Sequence, residues 1–450
     1  MMLRTCWLWL ALTGLLMAAN SQAQTTAPPE ISGNPNTNNM NFYFQNLCDS
    51  MVQNLGTANP RRSIQAASIN GQNDLINACF AYFQANSATA FIENIDPTGF
   101  ISFKLDALLF AQTENDNVMD RMQALRRRQK SSNDTAYNDS RTAIGGGASA
   151  DSYDSDESSD LLSKRLGFWF HANGSGGKKD VTVLTGKLDN SQFAAAGGID
   201  YRFGSDTVLG ASLGYRDAKA DFGDGGAQGN MKSKTFNVAV YFSSYLYKNL
   251  YLDTVFNYGH VKYDTRRNIL DLSSPPVLHV ANGDTNGNVS SAGVGLGYEF
   301  AAGGWTITPS ANYFYIDSKT DAFEEVGSGA YDLDFGKQHY HSSSARADLN
   351  VSYAVSGGGA VWLPHLRTEW IKEFGANVDT FDVRFVNDID PNSAPLPVQM
   401  DKLDDQYFRI SLGVSAQFHH DVSAYLDYQQ LAGFDQVTFY NIAGGVRFQF

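Results

Sequence analysis

From Leu166 to the last residue, apolar and polar positions alternate in runs of ten or more. The closing run shows the rule. Tyr440, Ile442, Val446, Phe448 and Phe450 share one face; Asn441, Ala443, Gly445, Arg447 and Gln449 share the other. Period two is the mark of a β-strand with one greasy and one polar side. The same alternation predicts strands at about 166–176, 191–203, 207–219, 231–246, 250–263, 287–301, 305–318, 339–356, 360–374, 404–418, 421–432 and 437–450, twelve in all. Tight turns rich in Gly, Asn and Asp (204–206, 247–249, 302–304, 357–359, 419–421) alternate with longer polar segments near 177–190, 220–230, 270–286, 319–338 and 375–403, plus a short one near 433–436.

The faces decide what kind of β-protein this is. In the tenth strand Phe408, Ile410, Leu412, Val414, Ala416 and Phe418 alternate with Tyr407, Arg409, Ser411, Gly413, Ser415 and Gln417. A soluble barrel would turn the apolar set inward. Twelve strands, however, enclose a lumen too wide for the small polar side chains of the other face to fill. The apolar face therefore looks out to lipid, and the sheet must close, because an open edge would leave amides unpaired in hydrocarbon. The expected fold is an all-β transmembrane barrel over 164–450, with 12 antiparallel strands, short turns in the periplasm and long loops outside.

Upstream the period changes. Residues 1–23 read as a signal peptide: Arg4 is the positive start, Trp7 to Ala19 the apolar core, and Ser21-Gln22-Ala23 the cleavage site. Residues 24–39, rich in Thr, Asn, Pro and Gln, are expected to be disordered. Over 40–128, Phe42, Phe44, Leu47, Met51 and Leu55, then Leu75, Ile76, Phe80 and Phe83, recur near helical spacing and predict a small α-helical module whose last helix spans 105–128. Residues 129–163 form a Ser/Gly/acidic linker, whose carboxylates lack the ordered spacing of a calcium site.

Composition sharpens this picture. A net charge of −14 leaves no basic footprint for nucleic acid, and a mean hydropathy of −0.30 excludes a helical membrane protein. Three cysteines are present; Cys6 leaves with the leader, so Cys48 and Cys79 remain in an oxidising compartment and are expected to form a disulfide, two free buried thiols being the alternative. No metal site is expected near them, because residues 24–163 contain no His. No Gly-x-Ser-x-Gly elbow, His-Glu-x-x-His or phosphate loop occurs. The chain is expected not to be an enzyme, with no catalytic, cofactor-binding or metal residues and no cofactor. Inward Asp253, Arg346, Asp348, Arg367, Glu369, Glu373, Arg409, Asp427 and Arg447 are expected to form ion-pair networks in the lumen.

Several motifs, in order, resemble the autotransporter β-domain, the translocator of type V secretion. They are Tyr258-Gly259-His260 followed by Asp264-Thr265-Arg266-Arg267-Asn268-Ile269; Thr308-Pro309 with Tyr313 and Tyr315, then Phe323-Glu324-Glu325-Val326-Gly327; and Pro364, Trp370 and Lys372-Glu373-Phe374, where Lys372 replaces the family's usual His. The resemblance implies an outer-membrane barrel of a Gram-negative bacterium, in contact with outer-membrane lipid. It implies that Phe448 and Phe450 form the signal read by the barrel assembly machinery. Met119 to Arg126 resembles the Arg-Leu-x-x-Leu-Arg pattern of the helix that precedes, and often plugs, such barrels, which would set Arg121, Arg126 and Arg127 near inward carboxylates. An ordinary amphipathic helix with a basic last turn is the other reading of that segment. The function expected is a monomeric barrel that anchors, or both anchors and translocates, a short N-terminal module. A pore or adhesion barrel with a periplasmic module, or a hydrolase with a loop-borne site, are the alternatives.

Overall fold

Alternation becomes a closed wall. The computed structural model describes residues 33–54, 78–134 and 165–449, with breaks at 80, 84–86, 98, 100–101, 205, 224–227, 272–275, 375–379, 389–393, 402–403 and 419–421. Its barrel has 12 strands: β1 (Leu166–Lys179), β2 (Lys187–Phe203), β3 (Thr207–Gly223), β4 (Gln228–Tyr247), β5 (Leu250–Asp271), β6 (Val277–Tyr298), β7 (Trp305–Thr320), β8 (Gln338–Tyr353), β9 (Ala360–Glu373), β10 (Gln406–Phe418), β11 (Val422–Ala432) and β12 (Val437–Gln449). Each pairs antiparallel with its chain neighbours, and β12 pairs with β1 from Gly167↔Gln449 to Lys179↔Val437, which removes the last edge. Phe168, Phe236, Phe256, Leu412, Ile442 and Phe448 stand exposed on the outer face. At the short rim, glycines supply the left-handed conformations that tight turns need: Gly303 and Gly304 lie at φ 55° and 96°, Gly358 at 63°.

The strands run further than the alternation predicts. β4, β5 and β6 have 20, 22 and 22 residues, about twice what a tilted strand needs to cross the hydrocarbon. Most of 270–286, expected as loop, is strand: Leu270 and Asp271 end β5, and 277–286 open β6 paired to it. Beyond the lipid the outward face becomes polar, so the apolar alternation that reveals a strand disappears although the ladder continues. The segments 319–338 and 375–403 also hold structure: Leu396–Gln399, Thr380–Phe385, Leu333–Phe335 and Phe323–Glu324 make a second, four-stranded antiparallel sheet in that order. These strands are too short to register as periodic.

Among the described residues three helices with defined bounds precede the barrel: α1 (Pro35–Asn54), α2 (Ala88–Ile95) and α3 (Ser102–Asp134). Residues 35–39, expected to be disordered with the rest of 24–39, open α1 instead. The Asn34 carboxamide accepts the Asn36 N–H at 2.9 Å, and Pro35 occupies the first turn, where its missing N–H costs nothing. Likewise 102–104 and 129–134, placed outside the last helix by sequence, belong to α3. Residues 24–32 and 135–163 lie outside the described residues. Cys48 and Cys79 are disulfide-bonded and buried.

Candidate functional site

The lumen is the candidate site, and α3 occupies it. A helix of 33 residues is about 50 Å long, enough to pass from one rim to the other. At its first turn the Ser102 hydroxyl meets Met231 Sδ at 3.3 Å, and Phe103 packs edge-on against Tyr263 with ring centroids 4.7 Å apart, near the long-loop ends of β4 and β5. At the other end Arg121 pairs with Asp200, its Nε donating at 3.0 Å, and Asn350 donates to Gln123 at 3.0 Å, near the short-turn ends of β2 and β8. The helix thus runs from the long-loop side to the turn side.

Between those ends its polar groups reach the wall in several directions. Arg216 on β3 donates to Asp106 at 2.7 Å and to Gln192 at 2.6 Å. Asn237 on β4 donates to Glu114 at 3.1 Å, and Ser291 on β6 to Asn115 at 3.0 Å. Gln112 donates to the Tyr407 hydroxyl at 2.7 Å, which in turn donates to Glu373 at 3.1 Å. Asp116 is the hub: Arg346 reaches one carboxylate oxygen at 2.5 Å and Arg409 the other. Arg409 also pairs with Glu369 at 3.0 Å, and Arg367 with Glu369 at 2.6 Å. The buried run from Gln112 to Asn117 is polar on every side of the helix and faces polar wall groups, while Val118, Met119 and Met122 just beyond it share an apolar cluster with Trp169, Tyr241 and Val255. Gly259 gives the helix room: a Cβ there would sit 3.0 Å from the Phe110 ring.

The charge arrangement differs from the one expected. Arg121 finds a carboxylate, though it is Asp200 rather than Asp253, Glu369 or Glu373, and the side chains of Arg126 and Arg127 lie outside the described residues. Most of the lumen pairing runs the other way, with acids on the helix and guanidinium groups on the wall. Asp106, Glu114, Asp116, Asp200 and Arg216 were not singled out by sequence. Arg216 and Asp200 were accessible from strand parity, since each shares a face with inward residues of its strand; the helix acids had no such signal. Of the wall residues that were, all nine are buried. Asp348 accepts from Ser310 at 3.2 Å, and His365 Nε2 lies 2.6 Å from Asp427. Among the described residues no group of three or more His, Cys, Asp or Glu is arranged to hold a metal ion.

At the long-loop end, α1 and α2 join the second sheet in one apolar core. Phe44 lies 5.3 Å from Phe385, and Phe91 lies 6.2 Å from Tyr331, between ring centroids. Phe335, Phe381, Val383 and Leu396 are buried in the same cluster. Asn36 exchanges two hydrogen bonds with the Gln399 backbone, both 2.8 Å, as a strand neighbour would. Arg267 on β5 forks onto Glu325 at 3.1 and 2.5 Å and donates to the Ile95 and Tyr331 carbonyls at 2.9 and 2.7 Å. Lys179 pairs with Asp401 at 2.6 Å, and Thr182 donates to the same carboxylate at 2.7 Å.

A closed wall with an apolar outer face and a helix through a polar lumen defines a plugged transmembrane β-barrel. The model of the autotransporter β-domain matches residues 168–429, and the chain belongs to that family. It is therefore an autotransporter barrel of the Gram-negative outer membrane, in contact with lipid. Among solved structures it is similar to the translocator domain of the autotransporter NalP from Neisseria meningitidis, at 18% identity and a TM-score of 0.50 over 65% of this chain and 91% of that one. It is also similar to the transport unit of the autotransporter AIDA-I from Escherichia coli, at 16% identity and a TM-score of 0.47 over 72% and 99%, and to the β-domain of the Bordetella autotransporter BrkA, at 20% identity and 0.45 over 64% and 100%. No curated protein matches the sequence.

Proposed function

We propose that this barrel displays its own short N-terminal module on the cell surface, with α3 as both tether and plug. The observation that carries the reading is the direction of α3. Its first turn meets the long-loop ends of the strands, and long loops face outward in barrels of this kind. The module that precedes it shares a core with those loops rather than with the turn side. The cargo is then a disulfide-closed helical unit that stays bound, and the occupied lumen is closed to solutes.

Three further assignments accompany this reading. The barrel inserts as a monomer. Phe448, paired with Phe168 on β1, and the terminal Phe450 are the signal for the barrel assembly machinery. The lumen charges serve to hold the plug rather than to catalyse.

Protease treatment of intact cells tests the central point. Digestion that removes an epitope placed within 55–77, while a periplasmic marker survives, is the expected result. An epitope cleaved only after the outer membrane is opened would overturn it. For the signal, Phe450→Ser is expected to lower outer-membrane levels and leave the chain in the periplasm; unchanged levels would place recognition elsewhere.

A further inference from the structure

The plug lies to one side of the lumen. Twelve strands about 4.8 Å apart and tilted about 40° close into a ring about 24 Å across between backbones, whereas a helix with its side chains is about 10–12 Å wide. α3 lies against one arc of that ring, β3 to β7. It reaches β8 and β10 through side chains, Asp116 to Arg346 and Arg409, and Gln112 to Tyr407. The arc from β9 through β12 to β1 closes the other side, and its inward groups change character along the strands.

At mid-height this arc is polar. Direct cross-strand partners run Arg367–Ser411–Gln429–Asn441–Ser175. The Ser175 and Ser411 hydroxyls of that row, and Asn173 Oδ1 and His171 Nε2 nearer the turns, are buried without a hydrogen-bond partner among the described residues. Buried groups of this kind are the ones that water satisfies. Closer still to the turns, the inward Ser415, Ser423 and Tyr425 are half-buried, so solvent reaches the arc from the turn side.

Toward the loops the same arc becomes apolar. Leu431 and Phe439 follow Gln429 and Asn441 by two residues, about 7 Å along the strands, and Ile371 and Tyr407 follow the paired Glu369 and Arg409. Ile371, Tyr407 and Leu431 are buried together, with Phe434 and Phe439 packed against them. Tyr407 and Phe434 stack with ring centroids 4.7 Å apart. A Cβ on Gly177, opposite Phe439, would come within 3.3 Å of the Phe439 ring. The Tyr407 hydroxyl, held by Gln112 and Glu373, ties the layer to α3.

We propose that this layer is a hydrophobic gate, which seals, beside α3, a water-filled chamber open to the turn side. The inference rests on the reading of the lumen as closed, and assigns part of that closure to the wall. Ions in the chamber meet aliphatic and ring carbons that offer nothing in exchange for hydration, and an apolar constriction excludes them by dewetting. The helix alone leaves the β9–β12 side unsealed; the layer alone leaves the space that the helix fills. Losing either opens the lumen, and losing the helix opens it more widely.

Planar bilayers test this on the full-length protein. The natural protein is expected to be silent. Leu431→Ser combined with Phe439→Ser is expected to conduct, in steps smaller than those of a chain lacking 102–123, and Leu431→Ile with Phe439→Leu to stay silent. Heat-modifiable migration verifies that each variant remains a folded barrel. A silent double-Ser variant overturns the gate, and so do steps as large as those of the chain without the helix, because α3 would then have left. Conductance by the natural protein overturns the closed lumen itself, and the gate with it. The chamber has a separate readout in purified protein: Ser411→Cys is expected to react with a small charged thiosulfonate, and Leu431→Cys to stay unreactive. Equal reactivity at the two positions, or none at 411, overturns the proposal without reference to conductance.

Discussion

Two regions of the same strands have opposite insides. Within the membrane band β5 turns Phe256 and Tyr258 outward and Asp253 and Asn257 inward. Above the band the same strand turns Lys262 and Arg266 outward, and Val261, Tyr263 and Ile269 inward. The ladder is continuous; the solvent has changed. Lipid draws apolar side chains out and leaves the lumen to polar groups, which must then satisfy one another. Water beyond the bilayer drives apolar side chains in, and the outer mouth becomes an ordinary hydrophobic core shared with α1, α2 and the second sheet. The plug is thus held mainly by ion pairs around Asp116 and Arg121, beside a small apolar cluster at Val118, Met119 and Met122, whereas the module is held by packing, and the two are separable by experiment.

The largest effect is expected from removing the plug. A chain lacking residues 102–123 should conduct as an open pore in planar bilayers, where the intact protein is quiet. Equal conductance with and without the segment would mean that other parts of the chain close the lumen. Next comes the charged hub. Asp116→Ala leaves Arg346 and Arg409 without their shared buried counter-charge, a loss of about 3–5 kcal/mol. It should appear as a lower urea midpoint of the barrel in detergent, and a midpoint within error of the natural protein would show the hub to be dispensable.

The packed end answers to different changes. Replacing Cys48 and Cys79 by Ser removes a cross-link over 31 residues, about 3–4 kcal/mol by loop entropy. The module should become protease-sensitive while the urea midpoint of the barrel stays put. A parallel fall in both would deny that the two regions are separable. The smallest effect is expected at Tyr43, whose hydroxyl donates to Asp388 at 2.6 Å. Tyr43→Phe should weaken module docking by about 1.5 kcal/mol, seen as a modest rise in cleavage rate of the module. No change in that rate would remove this bond from the docking contacts.

Much of the barrel was legible because lipid imposes period two. Phe408, Ile410 and Leu412 belong to an alternating run whose period of two no helix matches, and turns between such runs carry Gly where positive φ is needed. The same signal failed beyond the bilayer. Val277 to Asn286 reads as polar loop because its inward positions hold His279, Ala281, Gly283 and Thr285 against outward Asn282, Asp284 and Asn286, so parity carries little contrast. The four short strands of the second sheet were missed for want of length, and the start of α1 because Asn34 and Pro35 act as a helix cap in a segment that composition alone calls disordered.

The plug shows where sequence stops. Its basic end drew attention, and Arg121 does meet a carboxylate, but the acids Asp106, Glu114 and Asp116 carry more of the contact. Which of them meets an arginine depends on the rotation and depth of α3 in the lumen, and those follow from strand tilt and register around the whole wall. Period, strand number, membrane residence and family were determined by sequence alone, because each is a local pattern repeated many times. The partner of each buried charge, the direction of α3 and the union of α1 and α2 with the outer loops were decided only by tertiary structure, because they join residues hundreds of positions apart through one closed ring.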